Sequence, residues 1–301
     1  MTRRSLNTAL SAGASIALLT GSASLARNRK PLLGFKQYGM KKFPVHEAIR
    51  HIAGIGYKAL SLTLMPTWDT EPKLLSRTAR AEIRKRIDGL GLVLSSVQES
   101  LPLGAPDGGK RNLERLRAAA EAAHELSPST PAVIETPAGG RPEKWIETRN
   151  RMADELALWA KTLEPLGVVL AIEGHVGTAL DMPAKVLWLL DQVKSPSIGN
   201  LFDYSHYHLQ RLDLDPTLRQ LAGRTVLHHI KDSAGNPEHY RFLLPGDSGE
   251  INYREYARVL GEIRYQGTLL LEVSAQIFNQ PGYDGLAAAQ HCWNNMAPYF
   301  A

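Results

Sequence analysis

Four residues able to bind a metal ion close four apolar runs in the second half of the chain. Residues 168–172 (VVLAI) end on Glu173, residues 198–202 (IGNLF) end on Asp203, the run from 225 (TVLH) reaches His229, and residues 268–271 (TLLL) end on Glu272. An unbroken apolar run fits a strand covered on both faces. In a parallel barrel the carboxyl end of each strand faces the catalytic mouth, so side chains closing neighbouring strands converge there. Any one of them alone is more often a salt-bridged or hydrogen-bonded group of the barrel rim. Four together are harder to explain that way, because burying carboxylates beside apolar strands is costly without a cation. Three carboxylates and one imidazole form an oxygen-rich donor set that suits Mn2+, Mg2+ or Co2+ and accepts Zn2+ less selectively.

The surrounding chain has to build the strands that carry these residues. Strands are expected over residues 31–39, 57–64, 92–98, 132–135, 167–173, 198–203, 225–231 and 268–272. Helical periodicity appears between them over residues 45–54, 76–90, 110–126, 143–166, 182–193, 216–221, 253–263 and 285–299, with Asp181 as a candidate N-cap and Pro183 in the first turn of the fifth. A long loop is expected over 232–250, with Gly246 and Gly249 flanking a turn that leads it over the mouth. Eight strands alternating with eight helices predict an α/β chain folded as a single (β/α)8 TIM barrel. A doubly wound open sheet uses the same alternation. Against it, no G-x-G-x-x-G follows the first strand, and the acids close many strands instead of clustering at one switch point.

The 301 residues, 44% of them hydrophobic, suffice for one barrel of about 250 residues and a small extra segment. That extra lies at the front. Residues 1–26 contain no acid, carry Arg3 and Arg4, continue through a weakly apolar stretch rich in Ala, Gly, Ser and Thr, and end on small residues at Ser24, Leu25 and Ala26. This is the pattern of a cleavable export signal, and the arginine pair resembles a twin-arginine signal. Residues 11–20 are too short and too polar to span about 30 Å of hydrocarbon. The expectation is a signal over 1–26, a barrel over 31–301, a periplasmic or extracellular location, and no membrane span once the signal is removed. Arg3 and Arg4 supply two of the five net positive charges, and the remainder is too mild a charge to argue for nucleic acid. Cys292 is the single cysteine, so neither an intramolecular disulfide nor a cysteine-based zinc site can form.

With these residues in view, the chain resembles the xylose isomerase-like TIM barrels, which include sugar isomerases and epimerases of the tagatose 3-epimerase kind. The motifs that carry the likeness are Ala171-Ile-Glu-Gly-His175, Asp203-Tyr-Ser-His206 (D-x-x-H), His229-Ile-Lys-Asp232 (H-x-K-D) and Leu269-Leu-Leu-Glu272. The likeness extends in plan over 31–301 and is sharp over 168–273. It implies a sugar isomerase or epimerase with one divalent metal ion. The ion holds two adjacent sugar oxygens, acidifies the carbon-bound proton and stabilises an enediolate. It further implies that Glu173 and Glu272 are both ligands and acid/base groups, that Asp203 and His229 are ligands only, and that His206 bonds a substrate oxygen.

Three further substrate-binding candidates are less sharply defined. Lys231 follows His229 by two, so strand alternation points both the same way; it either neutralises developing charge or pairs with a ligand carboxylate. Arg241, in the loop, either clamps a substrate oxygen or is solvated. His175 either orients Glu173 or contacts substrate. His228, opposite to His229, reads as a packed histidine, and His46, His51 and His124 read as helix-surface residues.

Two other enzyme classes are weighed on the same scaffold. AP endonucleases need histidines closing strands two and three and a D-x-H pair after strand seven; this chain has Leu64-Met65, Gln98-Glu99 and Phe242-Leu243-Leu244 there. A metal-dependent lyase, dehydratase or keto-glycoside-cleaving enzyme shares the first proton abstraction and stays open. So does a non-catalytic sugar-binding module, although it would not need four ligands. The expected partner is a sugar or sugar derivative, and homo-oligomerisation is left open. No Gly-rich phosphate cradle is present, which favours free sugars over phosphorylated ones.

Overall fold

The computed structural model describes residues 30–104 and 109–301; the expected export signal at 1–26 lies outside them. Eight parallel strands close into a barrel: β1 Leu32–Lys36, β2 Ala59–Thr63, β3 Val93–Gln98, β4 Val133–Pro137, β5 Leu170–Glu173, β6 Ile198–Asp203, β7 Thr225–Ile230 and β10 Thr268–Leu271. Each strand pairs with the next, and β10 closes the ring against β1. The expected (β/α)8 TIM barrel is the observed fold. Helices α1 Val45–Ile55, α2 Arg77–Gly89, α3 Gly109–Leu126, α4 Trp145–Leu163, α5 Pro183–Val193, α7 Leu214–Ala222, α8 Tyr253–Glu262 and α10 Gly285–Phe300 fall on the expected segments, with ends moved by a few residues. Two short helices, α6 Tyr204–Leu209 and α9 Ala275–Phe278, are additional.

Strand alternation divides the barrel into two kinds of surface. Outward residues such as Phe35, Leu60, Ile172, Phe202 and Ile230 pack beneath the helices in the main core. The inward set carries a separate small cluster of Ala171, Leu201, Leu227 and Leu270, with Val133 against it. Two residues further along the same strands stand Glu173, Asp203, His229, Glu272 and Glu135. The inner apolar plug is therefore the floor on which the polar centre rests. Gly34 leaves room in that floor: a Cβ there would lie 2.7 Å from the Ala59 carbonyl oxygen and 2.8 Å from Leu270 Cδ2.

The structure departs from expectation in three places. The 232–250 loop contains an antiparallel hairpin, β8 Asp232–Gly235 with β9 Tyr240–Leu243. Asp181 does not cap α5: Met182 holds that position without a side-chain bond, and Asp181 instead pairs with Lys185 at 2.6 Å. Strand β1 stops at Lys36 and turns through a 3-10 segment, Gln37–Met40. No helix among the described residues is long and apolar enough to cross a membrane.

His228 is packed as expected, on the outer face of β7. Its Nδ1 lies 2.9 Å from the Tyr256 hydroxyl of α8, and its ring meets Tyr265 edge-on. Burial, with the neighbouring His229, lowers its pKa to about 3. Because the folded value lies below the unfolded one, the unfolded chain binds the extra proton. Stability is then fully present above pH 6.5 and lost as pH falls towards about 3, by about 1.4 kcal/mol per pH unit for this one group. In chemical denaturation at successive pH values, His228→Leu should flatten the decline seen below pH 6.5, most clearly above about pH 5, where carboxylates do not yet titrate.

Candidate metal centre

The mouth of the barrel gathers the four residues that close the apolar runs. One ligand atom each from Glu173, Asp203, His229 and Glu272 lies within 4.8 Å of all the others, and all four residues are buried. His229 Nδ1 stands between the two glutamates, 3.3 Å from Glu173 Oε1 and 3.2 Å from Glu272 Oε2. Asp203 caps the N-terminus of α6: Oδ1 accepts from the Ser205 amide at 2.9 Å, which leaves Oδ2 facing the centre. The D-x-x-H spacing follows from this cap, since His206 sits one helical turn on. Its Nε2 is 3.7 Å from both Glu173 Oε1 and Asp203 Oδ2.

Glu173 Oε1, Asp203 Oδ2 and His229 Nδ1 are buried and make no hydrogen bond with acceptable geometry. Lys231 Nζ is 3.0 Å from Asp203 Oδ2, an ion pair whose angles do not satisfy that oxygen. Unsatisfied polar atoms at one buried point are costly, and a cation bound among them removes the cost. The donors fit a hard or borderline divalent ion.

Two residues of the centre were not anticipated from sequence. Lys36 closes β1 and Glu135 stands near the end of β4, each about 1% exposed. Lys36 Nζ lies 3.3 Å from Glu135 Oε1, 3.3 Å from Glu272 Oε1 and 3.1 Å from His229 Nε2. Glu135 Oε2 pairs across the barrel with His229 Nε2, and Glu135 Oε1 accepts from Ser61 Oγ at 2.6 Å. Both residues end an apolar run, LLGFK and AVIE, in the same way as Glu173 ends its own. That was the available signal.

With these included, the buried centre holds four carboxylates, Glu135, Glu173, Asp203 and Glu272, against two ammonium groups, Lys36 and Lys231. Burial and Lys36 lower the His229 pKa, but Glu135 and Glu272 hold it well above its ordinary value, so without an ion the ring is positive and one negative charge remains; with His229 neutral, as a ligand must be, two remain, the charge that a divalent cation would cancel. The acidities reflect the crowding. Burial pushes the Glu272 carboxyl up, but Lys231, Lys36 and His229 hold it well below the usual range. Burial likewise raises Glu173, and His206, His229 and Lys231 hold it well below. Burial lowers Lys231, yet Asp203, Glu272 and Glu173 leave it above its ordinary value.

The remaining candidates separate into those that reach the centre and one that does not. Lys231 reaches it, at 3.1 Å from both Glu272 Oε2 and His206 Nε2, under the ring of Phe242 at 4.4 Å. His175 stacks on His206 with ring centroids 3.8 Å apart, and its Nδ1–H donates to the Val176 carbonyl at 2.7 Å. Burial and His206 lower its pKa to about 4. Arg241 does not reach the centre. It is exposed on β9, and alternation turns Phe242, not Arg241, towards His206 and Lys231. The expected turn after the hairpin is held by Asp232, which accepts from Gly246 and Ser248 amides at 3.2 and 3.0 Å and from Ser248 Oγ at 2.6 Å. A cleft of about 670 Å3 opens between Gly39–Phe43 and Phe278–Gly285; no residue of the quartet lines it.

Known proteins carry the same architecture. The sequence profile of the family described as xylose isomerase-like TIM barrel matches residues 49–293. The chain belongs to this family. No curated protein matches the chain. Among solved structures, the chain is similar to a 3-keto-D-glucoside 4-epimerase from E. coli, 16% identical, over 89% of this chain and 100% of that one, with a TM-score of 0.70. It is similar to D-psicose 3-epimerase with D-tagatose from Clostridium cellulolyticum H10, 14% identical over 89% and 99%, TM-score 0.69. A probable 3-DHS dehydratase from Bacillus anthracis matches at 15% over 88% and 99%, TM-score 0.72. At these identities the family's barrel accommodates both epimerases and a dehydratase.

Lys36→Met should test the charge balance. The change leaves Glu135 buried beside Glu272 without its ammonium partner, and stability at neutral pH should fall by about 3–5 kcal/mol. Urea unfolding with the wild-type midpoint would show that Lys36 does not compensate these acids.

Proposed function

We propose that the protein is a divalent-metal-dependent isomerase or epimerase of keto-sugars. The observation that carries this reading is the convergence of Glu173, Asp203, His229 and Glu272 at one buried point, where Glu173 Oε1, Asp203 Oδ2 and His229 Nδ1 are unsatisfied. Glu173, Asp203, His229 and Glu272 would hold the ion. When bound, Mn2+, Co2+, Mg2+ or Zn2+ would draw electron density from the carbonyl and adjacent hydroxyl of a sugar and so acidify the carbon-bound proton.

The chain's own groups then divide the proton work. Glu173 and Glu272 flank His229 Nδ1 from different staves of the barrel. Glu173 takes the proton from one face of the substrate carbon and Glu272 returns one on the other. Lys231 and His206, 3.1 Å apart, offer positive charge and a hydrogen bond to the substrate oxygen on which negative charge develops. Phe242 covers Lys231 and limits the water that reaches this pair. The epimerase neighbours support a sugar substrate, and the export signal read in residues 1–26 favours free sugars or glycosides outside the cytoplasm.

A metal-dependent lyase or dehydratase is the second reading, and one observation favours it. A probable dehydratase shares the barrel, and the Lys231 ammonium, beside Glu272, is placed to steady the charge on a departing oxygen after the same first abstraction.

Incubating the purified protein in D2O with Mn2+, Co2+, Mg2+ or Zn2+ and a panel of ketoses and keto-glycosides separates the readings. Deuterium at the carbon next to the carbonyl, together with an epimer or isomer, is the expected result. A dehydrated or cleaved product instead assigns the lyase. No retained metal and no exchange with any ketose would overturn both. Glu173→Gln should fold and lose at least about 10²-fold in rate, the scale of a positioned acid/base group; near-normal turnover would remove Glu173 from the mechanism.

A further inference from the structure

The layer just beneath the quartet is apolar at Ala171, Leu201, Leu227 and Leu270 but carries one carboxylate, Glu135, where a barrel interior is ordinarily filled by branched apolar side chains. On β4, Glu135 is level with Ala171 of β5, one layer below Glu173. Its two oxygens have separate partners. Oε1 accepts from Ser61 Oγ at 2.6 Å and lies 3.3 Å from Lys36 Nζ, while Oε2 meets His229 Nε2. The other ring nitrogen, Nδ1, is the one that lies between Glu173 and Glu272.

We propose that Glu135 is a positioning residue: held by Ser61 and Lys36, it accepts the Nε2 proton of His229 and so presents the Nδ1 lone pair to the metal. The inference rests on the reading of the quartet as a metal centre and adds to it a residue outside the quartet. An imidazole ligates through one nitrogen only when the proton resides on the other, and the group bonded to that other nitrogen decides which is which. A carboxylate can only accept at this contact and so favours the proton on Nε2; the Lys36 ammonium, 3.1 Å from the same nitrogen, would favour the other tautomer if it donated there, but Glu135 Oε1 and Glu272 Oε1, each 3.3 Å away, accept from it instead. An amide at 135 loses that selectivity, because its NH2 group can donate to Nε2 and leave a proton on Nδ1, where it blocks the ion. Lys36 makes the arrangement tenable, since a carboxylate buried this deeply needs a counter-charge within reach.

The test uses full-length protein with 15N-labelled histidine and Zn2+ as the probe. In the wild type, His229 should show a protonated, hydrogen-bonded Nε2 and a zinc-shifted Nδ1. In Glu135→Gln the low-field Nε2 proton should disappear, and calorimetry should give Zn2+ affinity about 10- to 100-fold weaker, the scale for outer partners of metal-bound histidines. A variant that melts earlier but binds Zn2+ with wild-type affinity and an unchanged His229 signature would mean that Glu135 is structural only, and overturns the proposal. Should Glu135→Gln not fold, Ser61→Ala keeps the carboxylate and removes its anchor. A smaller loss of Zn2+ affinity with a shifted Nε2 proton supports the role; no change in either overturns it. Reading the Nε2 proton in metal-free wild type separates two failures. No Zn2+ binding with that proton present sinks the metal centre, whereas a missing proton sinks the positioning role itself.

Discussion

The mouth of this barrel concentrates like charges in a place from which water is largely excluded. Four carboxylates and two ammonium groups share the volume around His229, and the nearest neutralising contacts are between these groups themselves. Charges so buried persist only when paired and hydrogen-bonded. The pairs here do not close: Glu272 and Glu135 have lysines, whereas Glu173 is met at ion-pair distance only by two imidazoles. The shape of the site follows from that imbalance. A divalent cation is the simplest group that would restore it, and the side that lacks an ammonium is the side on which Glu173 stands.

Strand geometry makes this crowding affordable in structural terms. Each polar residue sits two places after an inward apolar one, Ala171 before Glu173, Leu201 before Asp203, Leu227 before His229 and Leu270 before Glu272. The apolar floor binds the strands together, and the polar layer above it adds function at the end where loops, not packing, determine the surroundings. The register adds depth: Asp203 is level with His229, whereas Glu135 is level with Ala171. One ring can therefore touch a ligand layer through Nδ1 and a supporting layer through Nε2.

The barrel, its strand order and the quartet were legible because each rests on local pattern: apolar runs of strand length, helical periodicity between them, and a carboxylate or imidazole closing four of those runs. The same logic reached Lys231 and His206. It missed Lys36 and Glu135, although both close apolar runs, because a lone lysine or glutamate at a strand end has no sequence partner that announces it. Their meaning comes from the closure of β1 against β10 and from contacts across the barrel, which no local window contains. The loop 232–250 failed for another reason. Asp232 and Ser233 look like turn residues, yet their backbone pairs with Phe242 and Leu243, and this pairing aims Phe242 inward and Arg241 outward. A one-residue shift of register decides which of two adjacent side chains meets His206 and Lys231.

The H-x-K-D run then has a physical reading that joins centre and loop. His229 and Lys231 face inward two apart, the first between Glu173 and Glu272 and the second as a charge beside Asp203 and Glu272, while Ile230 packs outward among the helices. Asp232 accepts no ammonium; its oxygens collect the amides of Ser233, Gly246 and Ser248 and the hydroxyl of Ser248. Four donors on one buried carboxylate tie the far end of the loop to the residue after Lys231. Loosening that tie would release the hairpin that presses Phe242 onto Lys231. A chain of contacts thus joins the ammonium beside Asp203 and Glu272 to a turn fourteen to sixteen residues beyond Asp232 in sequence, and the loop borders the centre as the strand ends do.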